Sequence, residues 1–382
     1  MDIRNPNQVE LNDLIGRVST AFLYTKEEGT VARDFPLFYN IHNLKNLWAA
    51  FEGDKLVGHA GYFPAVMRVE NLPLSVVGIG GVYTEADHQG QGLGTKLIEK
   101  NISEARKQGA VLAVLWSDRH DFYGKLGFYL TGRQWTIVLE PQYAQALHDR
   151  GEKEHLDKSS LEFFEGGDDS NFLRQSHELI SHLPLGVSRT LEEHTAYLSS
   201  GSGKVISAWA GNELVCYFVI GKGKDLTNCI HEWAGDEAGL CHLAAHCLET
   251  FNETLYLFSP QFMPNEVNWI YALNEMGIQM KPEFMALVKL LDFGKMKKLV
   301  GEYLEKAGVA ASDLRMEQAA IDGKEALGPD TKKYIVQWKQ ETELHFNEAQ
   351  FLRFLFGPEL PISQEMKAFF PLRIWYWGMD SV

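Results

Sequence analysis

Cysteine is scarce: the 382 residues include four, Cys216, Cys229, Cys241 and Cys247, all between positions 216 and 247. The rest of the chain offers them no partner, so no disulfide framework is expected, and any thiol chemistry is confined to mid-chain. Positive charge is also in short supply. With 36 Lys and Arg against 51 Asp and Glu, the formal net charge is −15 at pH 7, which disfavours nucleic acid or an anionic membrane surface as the main partner. Apolar stretches such as Leu214–Ile220 fall far short of the roughly 20 residues that cross a bilayer. Met1 to Asn7 shows neither a basic n-region nor an apolar h-region, and the expectation is a cytoplasmic protein. What is there is 45% hydrophobic and 23% charged, ordinary globular composition at a length for two or three domains.

Leu11, Leu14, Ile15, Val18 and Phe22 recur at helical spacing and predict an opening amphipathic helix. A hairpin follows from Leu47 to Phe63, with its turn at Glu52-Gly53-Asp54-Lys55. A strand over 75–84 leads through the Gly-rich turn 89–94 into a helix carrying Leu97, Ile98, Ile102 and Ala105, stopped by Gly109. Then come a strand at 111–116, a short helix at 121–126 and a strand at 134–139, with 141–165 reading as a linker. The order then recurs. Ala208-Trp209-Ala210-Gly211-Asn212-Glu213-Leu214-Val215 echoes residues 50–57, and Leu273-Asn274-Glu275-Met276-Gly277-Ile278 lines up with residues 123–128. An internal duplication is expected; two unrelated α+β domains sharing a hairpin turn is the other reading. From about residue 293 a helix, two strand-like runs (314–320 and 334–345) and a helix capped by Asn347 and Gln350 precede an aromatic tail, Trp375-Tyr376-Trp377, which solvated termini rarely carry.

Three glycines at alternate positions in Gln89-Gly90-Gln91-Gly92-Leu93-Gly94-Thr95 let the backbone turn sharply and approach a ligand. Free N–H groups at a helix start, with its positive dipole end, suit a phosphate or pyrophosphate. Such a turn serves equally as a plain connection. A dinucleotide fingerprint needs different spacing and an acidic strand end, whereas the next strand here ends in Trp116-Ser117. A P-loop is excluded because no Gly-Lys-Ser/Thr follows.

The loop resembles the coenzyme A pyrophosphate loop of the GCN5-related N-acetyltransferases (GNAT), with Gln89, Gly92 and Gly94 on its pattern. Phe122-Tyr123-Gly124-Lys125-Leu126-Gly127-Phe128 is similar to that superfamily's second signature. Gly80-Gly81-Val82-Tyr83-Thr84 with His88 resembles the enhanced-intracellular-survival acetyltransferases, which carry two such folds and then a sterol-carrier-like domain. The resemblance implies an α+β chain of tandem GNAT-like folds, each a mixed central sheet flanked by helices, plus a small C-terminal α/β segment. The expected division is 1–145 catalytic, 146–292 a degenerate second copy, and 293–382 a segment docking its tail on the active site.

The implied activity is acetyl transfer from acetyl-CoA, as co-substrate, to a primary amine, with no metal. Tyr123 is the candidate general acid, since a phenol near pKa 10 can protonate a thiolate whose thiol is near 8.5; a tyrosine that only packs is the alternative. The resemblance implies that backbone groups of Val82, Tyr83 and Thr84 hold the pantetheine and acetyl group. Gln89, Gly90, Gln91, Gly92, Leu93, Gly94 and Thr95 would surround the pyrophosphate. Ser117 either contacts the pantetheine arm or caps a helix. For the base, the resemblance implies the chain's terminal carboxylate, here that of Val382, with a purely structural tail as the other reading; Glu85 and His59 are fallbacks. The second copy has Gly235-Asp236-Glu237-Ala238-Gly239 in place of the loop and Leu273 in place of Tyr123, so it is not expected to bind coenzyme A. His242 and His246, four apart, lack a third ligand and are not read as a metal site. The partner is then a small-molecule or lysine-type amine acceptor, cationic by the charge balance, with no nucleic acid or membrane, and the oligomeric state is left open. The rival from another class is an acyl-CoA-binding sensor without catalysis.

Overall fold

The computed structural model describes residues 1–154, 156–224, 226–261, 269–320, 332–358 and 362–382. Its core is two mixed sheets side by side, with a three-stranded antiparallel sheet at the C-terminal end. The first sheet runs Asp2–Arg4, Leu47–Glu52, Lys55–Val69, Leu72–Thr84, Leu112–Leu115, Ala286–Leu290, Tyr129–Thr131, with Gly186–Ser188 beside Lys55–Val69. The second runs Met280–Glu283, Gln134–Leu139, Leu255–Pro260, Cys229–Gly235, Glu213–Ile220, Lys204–Ala210, Glu162–Glu165. No helix among the described residues is long and apolar enough to cross a membrane.

The repeat is legible in hydrogen bonds. Both hairpins turn on a glycine of positive φ, Gly53 at 59° and Gly211 at 61°. Both carry a bulge one step from the turn, where Phe51 faces Leu56 and Trp209 faces Leu214 after a register shift. The short helices also end alike. Phe128 N–H donates to Tyr123 O at 3.1 Å and Ile278 N–H to Leu273 O at 3.2 Å, around Gly127 and Gly277, whose φ values are 78° and 75°.

Three local readings are corrected. The stretch 141–165 is not a linker: it holds the helix Ala144–Lys153, packed on Glu237–Phe251, and the edge strand Glu162–Glu165. The strand Gln134–Leu139 does not finish the first sheet; it pairs with Leu255–Pro260 in the second, while Ala286–Leu290 inserts between Leu112–Leu115 and Tyr129–Thr131 in the first. The run 334–345 is two strands, Lys332–Trp338 and Leu344–Phe346, because the chain turns at Lys339 with φ 49°. Both histidines of the helix Glu237–Phe251 are packed against protein. His242 is buried with Nδ1 2.9 Å from His148 Nδ1, and His246 stacks on Phe163 at 4.2 Å.

Candidate active site

The strand Leu72–Thr84 organises the site. It runs parallel to Leu112–Leu115, with Val76, Val77 and Gly78 opposite Leu112, Ala113 and Val114. Ladder pairing on that edge stops at Gly78, whereas the other edge stays paired with Lys55–Val69 out to Thr84. The two parallel strands therefore splay, and the Ile79–Thr84 edge presents backbone donors and acceptors to the gap. A bulge sharpens the bend: His59 faces Tyr83 and Gly61 faces Gly80, so Gly81 and Val82 together oppose Ala60, with Gly81 at φ 60°. A Cβ at Gly81 would collide with the Tyr39 hydroxyl and come within 2.9 Å of the His59 ring, so only glycine fits. His59 secures the bulge through Nδ1, 2.8 Å from Gly81 O.

Past the strand, Gly90 and Gly92 take left-handed φ of 73° and 74°. Gly92 is the N-cap of the helix Leu93–Lys107, and no side chain caps it. A Cβ at Gly90 or Gly92 would meet nothing within 4 Å, so a ligand has open approach to this helix start. The equivalent helix of the second copy, Glu237–Phe251, is capped by its own Asp236, which accepts from Gly239 N–H at 3.0 Å. Its first turn also carries Glu237.

A cavity of about 880 Å³ joins these parts. Its wall includes Val82, Tyr83, Thr84, Gln89, Gly90, Gly92, Leu93, Gly94, Thr95, Ser117, Tyr123 and Val382, all named from sequence. Gln91 is the one expected residue not on that wall; its side chain turns back to Asp87 O at 3.1 Å. Gln89 likewise braces the loop, donating to Thr84 O at 3.1 Å. Tyr123 is 6% exposed, and burial raises its pKa, against the opposing pull of Arg119 and a hydrogen bond with Ser117. Ser117 Oγ also accepts from Arg119 N–H at 3.1 Å, so it both braces the turn and meets Tyr123.

The fallback bases stand elsewhere. Glu85 is ion-paired with Arg17 at 2.9 Å. His59 is fully buried in the sheet, its pKa pushed down to about 4 by burial, with the Gly81 carbonyl pulling the other way.

The tail docks between the folds. Trp375 and Trp377 are 1% exposed and Tyr376 4%. Arg373 N–H and Nε both donate to Glu70 Oε1, at 2.9 and 2.7 Å. Trp377 then packs edge-on to Trp233 at 5.5 Å, and a Cβ at Gly378 would stand 2.6 Å from His231 Cβ. These contacts lie where the strand Cys229–Gly235 parts from Leu255–Pro260 after Ile230, so the second fold's own strand gap holds the tail. The chain ends against the first fold: a Cβ at Gly78 would be 2.8 Å from Val382 Cγ2, and one at Gly80 would collide with the Val382 carboxyl carbon.

Sequence reasoning missed several wall residues: Phe22, Tyr24, Phe35 and Tyr39 from the segments that follow the helices Gln8–Ala21 and Val31–Asp34, Lys222 and Lys224 after the strand Glu213–Ile220, and Tyr376. The Tyr376 hydroxyl is buried against Gly78 and pairs with no group of the described chain. One signal was present, since glycines at 78, 80 and 81 inside a strand mark a close backbone approach.

Residues 2–131 match the family described as acetyltransferase (GNAT) domain. Among curated proteins, none matches the chain. Solved structures align with it over nearly its whole length. A GCN5-related N-acetyltransferase from Anabaena variabilis is 13% identical, covering 98% of this chain and 94% of that one, with TM-score 0.59. Eis1 from Mycobacterium abscessus is 12% identical, with 97% of each chain covered and TM-score 0.58. A probable N-acyltransferase from Enterococcus faecalis is 11% identical, covering 93% and 90%, with TM-score 0.59. At these identities the likeness is one of fold: two mixed GNAT-like sheets and a small third.

Proposed function

We propose, from the match of residues 2–131 to the acetyltransferase (GNAT) domain family, that this protein is a GNAT enzyme that transfers an acetyl group from acetyl-CoA directly to a primary amine. One observation carries the reading: a splayed strand edge, an uncapped glycine-rich helix start, a buried tyrosine and the chain end share a single cavity. Acyl-CoA is the donor this family uses, and the residues fit it. Amides of Gly90 to Thr95 would hold the pyrophosphate, with Gln89 bracing their loop. The backbone of Val82, Tyr83 and Thr84 would take the amide-bearing pantetheine arm as an added strand. Ser117 sits where that arm would pass.

In the transfer a C–N bond forms as the C–S bond breaks. The Val382 carboxylate draws in the ammonium and accepts one of its protons, Tyr123 gives its phenol proton to the departing sulfur, and the second nitrogen proton, shed as the amide forms, restores the Tyr123 phenol while the carboxylate passes its own to solvent. A raised pKa suits that role, because Tyr123 stays protonated at neutral pH until a thiolate develops beside it. All four cysteines are buried in the second fold, so direct attack by the amine is preferred to an acyl-cysteine route. The second fold, capped by Asp236 and carrying Leu273 where the first has Tyr123, serves as scaffold and acceptor wall.

A net charge of −15 favours approach of a cation. At the acceptor end the wall is aromatic, with Phe22, Tyr24, Phe35 and Tyr39 beside Lys222 and Lys224. That lining suits an acceptor whose positive charge is the reacting ammonium, held by ring faces and carboxylate, on an apolar body. The test is a free-thiol assay with tyramine, spermidine, an aminoglycoside and a lysine peptide, run beside a chain extended beyond Val382. Tyramine and the lysine peptide should lead, and extension should lower kcat by about tenfold or more with little change in the acetyl-CoA KM. Undiminished turnover in the extended chain removes the carboxylate from the mechanism.

A further inference from the structure

We propose that Lys222 and Arg189, both supplied by the second fold, are positioning residues for the transfer: together they fix residues 378–382 so that Val382 lies on the Gly80 backbone. The inference rests on the reading of the Val382 carboxylate as the base. The tail needs such a device, since Gly378–Asp380 is a single 3₁₀ turn that no sheet ladder fixes.

Lys222 is 4% exposed, and its ammonium donates to Gly378 O at 3.0 Å, Met379 O at 3.0 Å and Ser381 O at 2.7 Å, with Ser381 Oγ at 3.3 Å. Three donors meet three carbonyls, and Phe35 lies 4.4 Å beneath the charge. Burial brings the Lys222 pKa down to about 7, against the upward pull of Asp380, so the fit of its donors to these carbonyls, more than a fixed charge, is what holds the turn.

Arg189 holds the other side of the same turn. Its Nε and Nη2 donate to the two Asp380 oxygens at 2.6 and 2.8 Å. Nη1 and Nη2 also reach Glu232 at 3.2 and 2.6 Å, and Glu232 accepts from the Tyr217 hydroxyl at 3.0 Å. Burial works against the Arg189 charge, and the two carboxylates outweigh it, so the guanidinium stays cationic. Glu232 and Tyr217 stand on strands of the second sheet, so the turn is referenced to a rigid frame. A base misplaced by about 1 Å loses much of its effect, which is why a clamp on residues 378–381 would be read out at residue 382.

Full-length Lys222→Met keeps the packing and removes the donors; Asp380→Asn keeps the shape and weakens the fork, and it stands in should the first variant not fold. Each is treated with carboxypeptidase Y under native conditions, with Val382 release followed by intact mass. Each is also assayed for kcat and acetyl-CoA KM with tyramine, spermidine, an aminoglycoside and a lysine peptide, in the full chain and in one lacking Val382. Both variants should release Val382 at least about tenfold faster than the parent and lower kcat by at least about tenfold at near-constant KM, and Lys222→Met should change kcat less than about twofold once Val382 is gone. Unchanged release, or an equal kcat loss without Val382, overturns the proposal. Should deleting Val382 leave kcat at the parent value, the base reading fails, while the release rates still decide whether the tail is clamped.

Discussion

Tyr123 joins two contacts that sequence alone could pair with nothing: its ring packs edge-on to Phe128 at 6.0 Å, and its hydroxyl meets Ser117. Replacing it with Phe keeps the ring contacts and removes the proton. Tyr123→Phe should lower kcat by about 10²- to 10⁴-fold while leaving acetyl-CoA affinity by calorimetry nearly unchanged. Retained turnover in the variant would remove Tyr123 as the acid, whereas a chain that keeps its ligand response but turns over no acetyl-CoA with or without the substitution would favour the sensor. Tyr123 was legible because a tyrosine at a helix end before a glycine is a local pattern. Lys222 was not. Gly221-Lys222-Gly223-Lys224 reads as a solvated turn, and the carbonyls that give Lys222 its task lie 156 to 159 residues away.

The two helix starts that follow the strands Leu72–Thr84 and Cys229–Gly235 are a comparison within one molecule. At the first the N-cap is Gly92, with open space in front; at the second it is Asp236, bonded to the amide of Gly239. An aspartate tolerates the left-handed φ of position 92 better than most residues. Gly92→Asp should therefore fold at some cost in stability, since Asp236 caps from an extended backbone and position 92 is left-handed, and it places a carboxylate at the first helix start. Calorimetry should show acetyl-CoA binding weakened by about tenfold or more, because a carboxylate then competes with the diphosphate for the same dipole end. Unchanged affinity would mean that the helix start does not hold the donor. At this scale the sequence was read well where a period or a cap is local: the Gln8–Ala21 helix from its apolar period, and the Glu348–Phe356 helix with Asn347 and Gln350. It was read poorly at 141–165, where the charged Ala144–Lys153 helix buries only a narrow face, at Ala144, Leu147, His148 and Gly151.

Across the whole molecule, several histidines are packed as neutral groups. Burial pushes His59 and His231 down to about 4 and His194 to about 3. Since the unfolded chain binds these protons near pH 6.5, their contribution is complete above that value and is lost progressively as pH falls toward 4. From the width of the window His59 and His231 are each worth about 3 kcal/mol and His194, whose window runs on to pH 3, about 5 kcal/mol at most, which is large against a net stability of roughly 5–15 kcal/mol. The urea midpoint should thus drop between pH 7 and pH 5, and His231→Gln should flatten the slope if it folds. A midpoint independent of pH over that range would show that the rings do not titrate as packed.

The repeat and its order were visible in the sequence as matched turns, but the trade of strands between the sheets was not, because Gln134–Leu139 and Ala286–Leu290 each follow their own copy's last helix without any local mark of their destination. Cutting the chain between the copies would strip the first sheet of an interior strand and leave the other half without Gln134–Leu139 between Met280–Glu283 and Leu255–Pro260. Each half therefore completes its sibling's sheet, so a deletion that removes either one should unravel the other rather than leave a smaller working protein.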